Sequence, residues 1–338
     1  MRRVFKVHGP GDVRLDSESV PEVGSKDVLI GVRVCGICGS DLNYIRLGLL
    51  NLAYGGPKAL GHEAAGVVIE AGSEVQGIEP GMQVIINPAT SYGIIGNGAD
   101  EGAFTDRLLV RDARLNEQLF LMPEGMDFEV AALAEPLAVS LHGVNRGQVK
   151  PGDRAVVFGV GPIGLGIVLW LKRRGLTDIV SIARTASRLE RAREMGATTT
   201  ISAEQEDVRQ RLVELHGHVR TAFGEAVGTD VYFDAAGASN IVPDVIGMAK
   251  PDSRLVISAM YINPVEIHLG RFLTREMHIT SAAGYPTEFP EVVAMLAEQG
   301  DLARKMISHR LPLDNIKEGL DITGSPTCGK VMIACSKD

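Results

Sequence analysis

Short runs that alternate apolar and polar positions or are rich in β-formers recur through the first 145 residues, at 3–8, 28–35, 64–71, 83–87 and 104–110. Turns such as Gly9-Pro10-Gly11, Glu79-Pro80-Gly81 and Pro123-Glu124-Gly125 separate them. Such runs bounded by turn residues predict short β-strands, and many of them predict a partly open barrel, not a parallel sheet. After Lys150-Pro151-Gly152-Asp153 the pattern changes. A strand over 154–158 leads through a glycine loop into a helix over 161–174. Strands over 179–183, 199–201, 230–234 and 254–258 then alternate with helices over 186–195, 204–216 and 239–248. This alternation predicts a doubly wound parallel sheet. From about residue 286 the pattern predicts helices over 289–299 and 313–323 and strands over 306–311 and 330–335. That stretch is too short to fold alone and is expected to return to the first domain. The expected division is 1–145 with 286–338 as one domain and 146–285 as the other.

A length of 338 residues agrees with two domains. The formal charge is −8 and there is no Lys/Arg-rich run, which argues against nucleic acid as a partner. Two early arginines have no apolar run behind them, so no signal peptide is expected. Residues 155–171 are uncharged and approach the length of a membrane span. Four glycines and a proline within them instead indicate a buried strand, a turn and a buried helix, so no membrane association is expected. The four cysteines, Cys35, Cys38, Cys328 and Cys335, do not form a secreted disulfide framework in a chain this long. A reducing, cytoplasmic setting is expected.

Two segments carry candidate chemistry. CGICGSD (residues 35–41) and GHE (61–63) supply the thiolate of Cys38, the imidazole of His62 and the carboxylate of Glu63. That mixture suits zinc, and three protein ligands with an open position are the catalytic form of a zinc site. Cys35 and Cys38 could instead be a redox pair or half a zinc finger. However, no second C-x-x-C exists and the βαβ context of a redox pair is absent. His62 alone could be a satisfied core histidine. The second segment, GVGPIG, is a G-x-G-x-x-G between a strand and a helix. Gly159 suits the tight turn, Gly161 a close approach to a pyrophosphate, and Gly164 helix–strand packing. Pro162 and Ile163 open the helix whose N-terminus would face the phosphates. A metal that polarises oxygen and a dinucleotide loop together indicate alcohol–carbonyl redox chemistry.

The second strand of the parallel sheet ends at Ala183, where NAD-binding chains usually carry an acid for the ribose 2′-hydroxyl. Arg184, Thr185 and Arg188 follow. A small residue followed by guanidiniums favours NADP(H) over NAD(H), because arginine binds phosphate through several donors. These arginines could simply be a solvated helix start, but basic groups oppose the dipole there unless an anion is present.

CGICGSD, LGHEAAGVV, AEPLAVSLHG (residues 134–143) and GVGPIG occur in this order. On these motifs, and over essentially its whole length, the chain resembles the zinc-dependent medium-chain alcohol and polyol dehydrogenases. Glu135 before Pro136 places the resemblance nearest the sorbitol, xylitol and L-idonate dehydrogenase branch. The resemblance implies a GroES-like, partly open β-barrel catalytic domain and a Rossmann cofactor domain. It implies Cys38 and His62 as zinc ligands, Glu63 as a third, and Glu135 either as a ligand or as the holder of the metal's water. Asp41 would accept a hydrogen bond from the non-ligating nitrogen of His62, Ser40 would carry the substrate proton, and Cys35 would be a small buried residue.

Three departures from the family pattern stand out. No cysteine lies between Asn87 and Ala103, where the family's structural zinc lobe has four, so one zinc per chain is expected. Asn43 replaces the histidine that often ends the proton relay, and Gly284-Tyr285 stands where polyol enzymes carry Arg-Tyr. The expected activity is hydride transfer between NADP(H) and a secondary alcohol or ketone of polyol, sugar or sugar-acid type. Simple alcohols, diols or diketones are the alternative substrates. The rival readings are a zinc-free quinone or enoyl reductase and a catalytically idle NADPH-binding sensor. A homodimer or homotetramer is expected, with a small alcohol or carbonyl compound as its partner.

Overall fold

The computed structural model describes residues 1–336, apart from the side chains of residues 50, 52 and 54. The chain forms two compact units, residues 1–135 together with the stretch from Phe289, and Pro136–Glu288.

In the first unit the strand Val28–Gly36 is the central element. It pairs antiparallel with Glu63–Ala71, with Lys330–Ala334 and with Arg107–Val110. The sheet continues outward through Gln83–Ile86 to Leu119–Leu121 on one side and to Ile307–Pro312 on the other. A smaller sheet joins Asp12–Glu18, Arg2–Gly9 and Lys58–Ala59. Inward residues of these strands, among them Phe5, Ile30, Val32, Ile86, Leu108, Val331 and Ile333, share one core. Each such side chain contributes about 1.5–3 kcal/mol on burial, so the C-terminal strand is held both by its ladder and by its apolar face.

In the second unit six strands form one parallel sheet in the order Thr199–Ser202, Asp178–Ala183, Arg154–Phe158, Val231–Asp234, Arg254–Ile257, His278–Ser281. The order reverses at Arg154–Phe158, the switch point where doubly wound sheets take their ligands. Val156, Phe158, Val180, Ile182, Tyr232 and Leu255 bury the sheet. Residues 155–171 resolve into strand, turn and the helix Pro162–Arg173, whose Leu165–Leu171 stretch is buried. Among the described residues no helix is long and apolar enough to cross a membrane. The architecture is a GroES-like barrel with a Rossmann domain.

Several elements differ from the sequence expectation for local reasons. The expected helix over 204–216 starts only at Val208, because Asp207 caps it by accepting from the Gln210 N–H at 2.9 Å. The expected strand over 104–110 begins at Arg107, since Phe104 instead bonds to the backbones of Phe5 and Leu60. The helix Gly39–Leu47, the hairpin His218–Thr221/Gly224–Val227 and the edge strand His278–Ser281 had no strong periodicity.

Candidate active site

The strand pairing assembles the three candidate ligands. Gly36, near the end of Val28–Gly36, lies opposite Glu63, the first residue of Glu63–Ala71. Cys38 follows two residues beyond Gly36, and His62 directly precedes Glu63, so the ends of the two strands bring them together. One ligand atom each from Cys38, His62 and Glu63 lies within 4.8 Å of the others. A thiolate, an imidazole and a carboxylate at this spacing are a donor set that fits zinc. Cys38 also caps the helix Gly39–Leu47, and its backbone N–H donates to Asp41 Oδ2 at 3.0 Å. That bond is one half of a capping box.

Lys330 was not singled out from the sequence, and it is buried beside this cluster. Its ammonium donates to Glu63 Oε1 and Oε2, each at 2.6 Å, and to the Ile37 carbonyl at 3.0 Å. Burial alone would depress its pKa. The negative charges of Glu63, Cys38 and Glu135 outweigh burial and hold it above the usual lysine value. Gly36 makes room for the pair, because a Cβ there would lie 2.2 Å from Glu63 Oε2. A lysine opening an otherwise apolar run, KVMIA, is the sequence signal for such a residue, since lysine is rarely buried unless paired.

The neighbouring polar groups face the same cluster. The hydrogen bond expected from His62 to Asp41 does not form: Asp41 Oδ1 lies 3.7 Å from His62 Nδ1, beyond hydrogen-bond reach, and neither atom has a hydrogen-bond partner. Burial pushes the Asp41 carboxyl up. Burial would lower the His62 pKa, yet the Asp41 charge, a hydrogen bond with Cys38 and the Glu135 charge raise it well above the usual value. Glu135, buried in the first turn of Ala134–Arg146, thus lies close enough to act on both His62 and Lys330. Ser40 hydrogen-bonds the hydroxyl of Tyr44, whose pKa burial pushes up to about 12. Cys35 is fully buried, and burial and the nearby Cys335, Asp41 and Glu63 charges raise its thiol pKa well above the usual value.

The segment in place of the cysteine lobe packs on the histidine loop. A Cβ on Gly96 would lie 2.0 Å from the Gly61 carbonyl, and the Ala103 N–H donates to that carbonyl at 2.8 Å. Glu101 anchors the segment by accepting from Arg2 at 2.5 and 2.9 Å in a buried pair. Gly284 has φ +69°, which an arginine would adopt only with strain.

In the second unit Gly159 has φ +81°, and a Cβ there would lie 2.6 Å from the Ala236 Cβ. A Cβ on Gly164 would lie 1.9 Å from the Gly159 carbonyl, whereas one on Gly161 would meet open space. Gly161 caps the helix that Pro162 and Ile163 begin. Ala183 is buried at its strand end, Arg184 is exposed, and Thr185 caps the helix Ala186–Met195, which carries Arg188 in its first turn.

Residues 24–117 match the family model of the alcohol dehydrogenase GroES-like domain, and 162–298 match that of zinc-binding dehydrogenase. The chain is 33% identical to sorbitol dehydrogenase of Mus musculus, over 97% of this chain and 94% of that protein. The crystal structure of 2R,3R-butanediol dehydrogenase from Bacillus subtilis superimposes with a TM-score of 0.86 at 28% identity, over 99% of both chains. A zinc-binding dehydrogenase from Sinorhizobium meliloti, solved bound to NADP, gives 0.85 at 27% identity, again over 99% of both. The chain belongs to the zinc-dependent medium-chain alcohol and polyol dehydrogenases. It is an oxidoreductase of alcohols, polyols or diols that uses zinc and a nicotinamide cofactor.

Proposed function

We propose that the chain interconverts a secondary alcohol and a ketone of polyol, sugar or sugar-acid type, with one zinc per chain and NADP(H) in preference to NAD(H). The observation that carries this reading is the convergence of Cys38, His62 and Glu63 donors within 4.8 Å. Cys38, His62 and Glu63 hold the metal, and Glu135 supplies a further carboxylate beside it. Bound zinc supplies a Lewis acid for the substrate oxygen, and the nicotinamide supplies the hydride carrier. Asp41 acts on His62 through its charge, since no hydrogen bond joins the two side chains. Ser40 passes the substrate proton to the Tyr44 hydroxyl, which takes over the place left by Asn43. Lys330 balances the buried Glu63 charge.

The one-zinc reading is supported by the cysteine-free segment 87–103 and its Arg2–Glu101 anchor. The NADP(H) reading is supported by Ala183 and its following arginines. We assign 1–145 with 286–338 to catalysis and 146–285 to the cofactor, in a homodimer or homotetramer of the cytoplasm. Smaller diols are a second substrate reading. It is favoured by Gly284 in place of the polyol enzymes' arginine and by the likeness to the butanediol enzyme.

Metal analysis with turnover tests the proposal. About one zinc per chain and faster turnover with NADPH than NADH on ketoses or sugar acids are expected. Two tightly held zincs, or preference for NADH, would overturn the corresponding part. Turnover confined to diketones and diols would select the second substrate reading.

A further inference from the structure

Arg209 and Arg271 line the same cavity of about 620 Å³ as Gly159 and Arg184. The three arginines come from separate elements. Arg184 follows the strand Asp178–Ala183, Arg209 is the second residue of the helix Val208–His216, and Arg271 is the third of Leu269–Arg275. None of the three side chains has a hydrogen-bonding or ion-pair partner among the described residues. The two acids on the cavity wall are engaged locally. Asp207 accepts from the Gln210 N–H at 2.9 Å, and Asp244 accepts from the Asn240 amide at 2.7 Å. Behind the wall, Arg275 donates to the Gly247 carbonyl at 3.0 Å. Burial and the Arg209 and Arg271 charges lower its pKa. Guanidiniums on one helix surface are usually just solvated. Here three of them line one cavity from three elements, none paired with the two carboxylates on its wall, an arrangement that like-charge repulsion disfavours unless an anion enters.

We propose that Arg209 and Arg271 form, with Arg184, the anion-binding wall of this cavity, and that its ligand is the 2′-phosphorylated ribose of NADP(H). This rests on the NADP(H) reading and extends it, because phosphate recognition is then spread over three elements. Loss of Arg184 alone leaves two donors, so the preference for the phosphorylated cofactor weakens without vanishing.

The test is titration of the zinc-loaded full chain with NADPH, NADH and 2′,5′-ADP, for wild type, Arg184→Gln, Arg209→Gln, Arg271→Gln and the Arg209→Gln/Arg271→Gln double variant. Loss of one charge-assisted contact is expected to weaken NADPH and 2′,5′-ADP about tenfold, with NADH changed by less than about twofold. The double variant is expected to lose more than either single one. Melting of the unliganded variants checks that each folds. If wild type prefers NADPH, Arg184→Gln abolishes that preference and the other variants bind like wild type, the wall is overturned while the NADP(H) reading survives. Equal loss of NADPH and NADH affinity would also overturn it, because the arginines would then serve the shared part of the cofactor. A wild type without preference for NADPH would remove the NADP(H) reading itself.

Discussion

The Lys330 ammonium sits 2.6 Å from both oxygens of the Glu63 carboxylate, and both side chains are buried. Glu63 also belongs to the donor cluster with Cys38 and His62. On the proposed metal site one carboxylate would serve two cations, and their contributions would be coupled. Breaking a buried pair from one side typically costs ~3–5 kcal/mol, because a charge remains uncompensated. Lys330→Met should destabilise the chelator-treated protein by about that amount. Added zinc should narrow the gap to wild type, since the metal then compensates Glu63. Thermal unfolding with and without chelator measures this, and a gap that zinc does not change would place Glu63 outside the metal site.

In the proposed relay the Ser40–Tyr44 hydrogen bond would give the proton a route that avoids the amide of Asn43. Positioned proton transfer contributes roughly 10²–10⁴-fold to turnover. Ser40→Ala should lower kcat by about that range while leaving zinc content and NADPH affinity in place. Tyr44→Phe should have a smaller effect, because Ser40 still reaches solvent water. Steady-state kinetics with metal analysis tests both, and an unchanged kcat for Ser40→Ala would remove Ser40 from the relay.

The barrel, the parallel sheet and the candidate donors Cys38, His62 and Glu63 were legible because periodicity, turn residues and motif spacing are local properties. The strands Arg154–Phe158 and Val231–Asp234 follow directly from short runs of β-branched and aromatic residues between Gly-bearing turns. Lys330 was not legible as a site residue, because its role depends on a strand pairing across some 290 residues, where Met332 lies opposite Gly36. The same applies to Arg209 and Arg271, which read locally as ordinary helix-surface charges until the topology brings them to one cavity. The helix Gly39–Leu47 was missed because its only strong start signal is Asp41, a residue also claimed by the metal motif. The late start at Val208 reflects Asp207, a cap that competes with helix propensity upstream.

Arg2 is 5% exposed and joins Glu101 to Glu18, so the first strand and the segment 87–103 share one ion network. In this chain that network anchors the glycine-rich segment that supports Gly61 and His62. Glu101→Gln leaves the buried guanidinium paired with Glu18 alone and should cost ~1.5–3 kcal/mol. Denaturant unfolding should shift accordingly, while zinc per chain stays at the wild-type value. Loss of zinc in step with stability would instead make the segment part of a metal site.

Asp230 joins three strands of the parallel sheet through one carboxylate and its own backbone. Its Oδ2 accepts from the Arg154 N–H at 2.8 Å and its Oδ1 from the Lys250 ammonium at 2.5 Å. Its backbone N–H donates to the Arg154 carbonyl, and its carbonyl accepts from the Arg254 N–H. Burial alone would raise the Asp230 pKa; the Lys250 and Arg154 contacts outweigh it and hold the carboxyl below its usual 3.8. A folded-state pKa below the unfolded one means that the unfolded chain binds the proton first as pH falls. The contribution is therefore complete above the unfolded value of 3.8 and fades as pH drops through the lower folded value. Asp230→Asn keeps a hydrogen-bond acceptor for Arg154 but loses the charge, so it should cost ~1.5–3 kcal/mol at pH 7. The wild-type advantage should stay flat from pH 7 down to about 4 and shrink below that. Denaturant unfolding of both proteins across this range measures the difference directly. An advantage that persists unchanged at the acid end would mean that the charge on Asp230 does not stabilise the junction, and that its hydrogen bonds alone hold the strands.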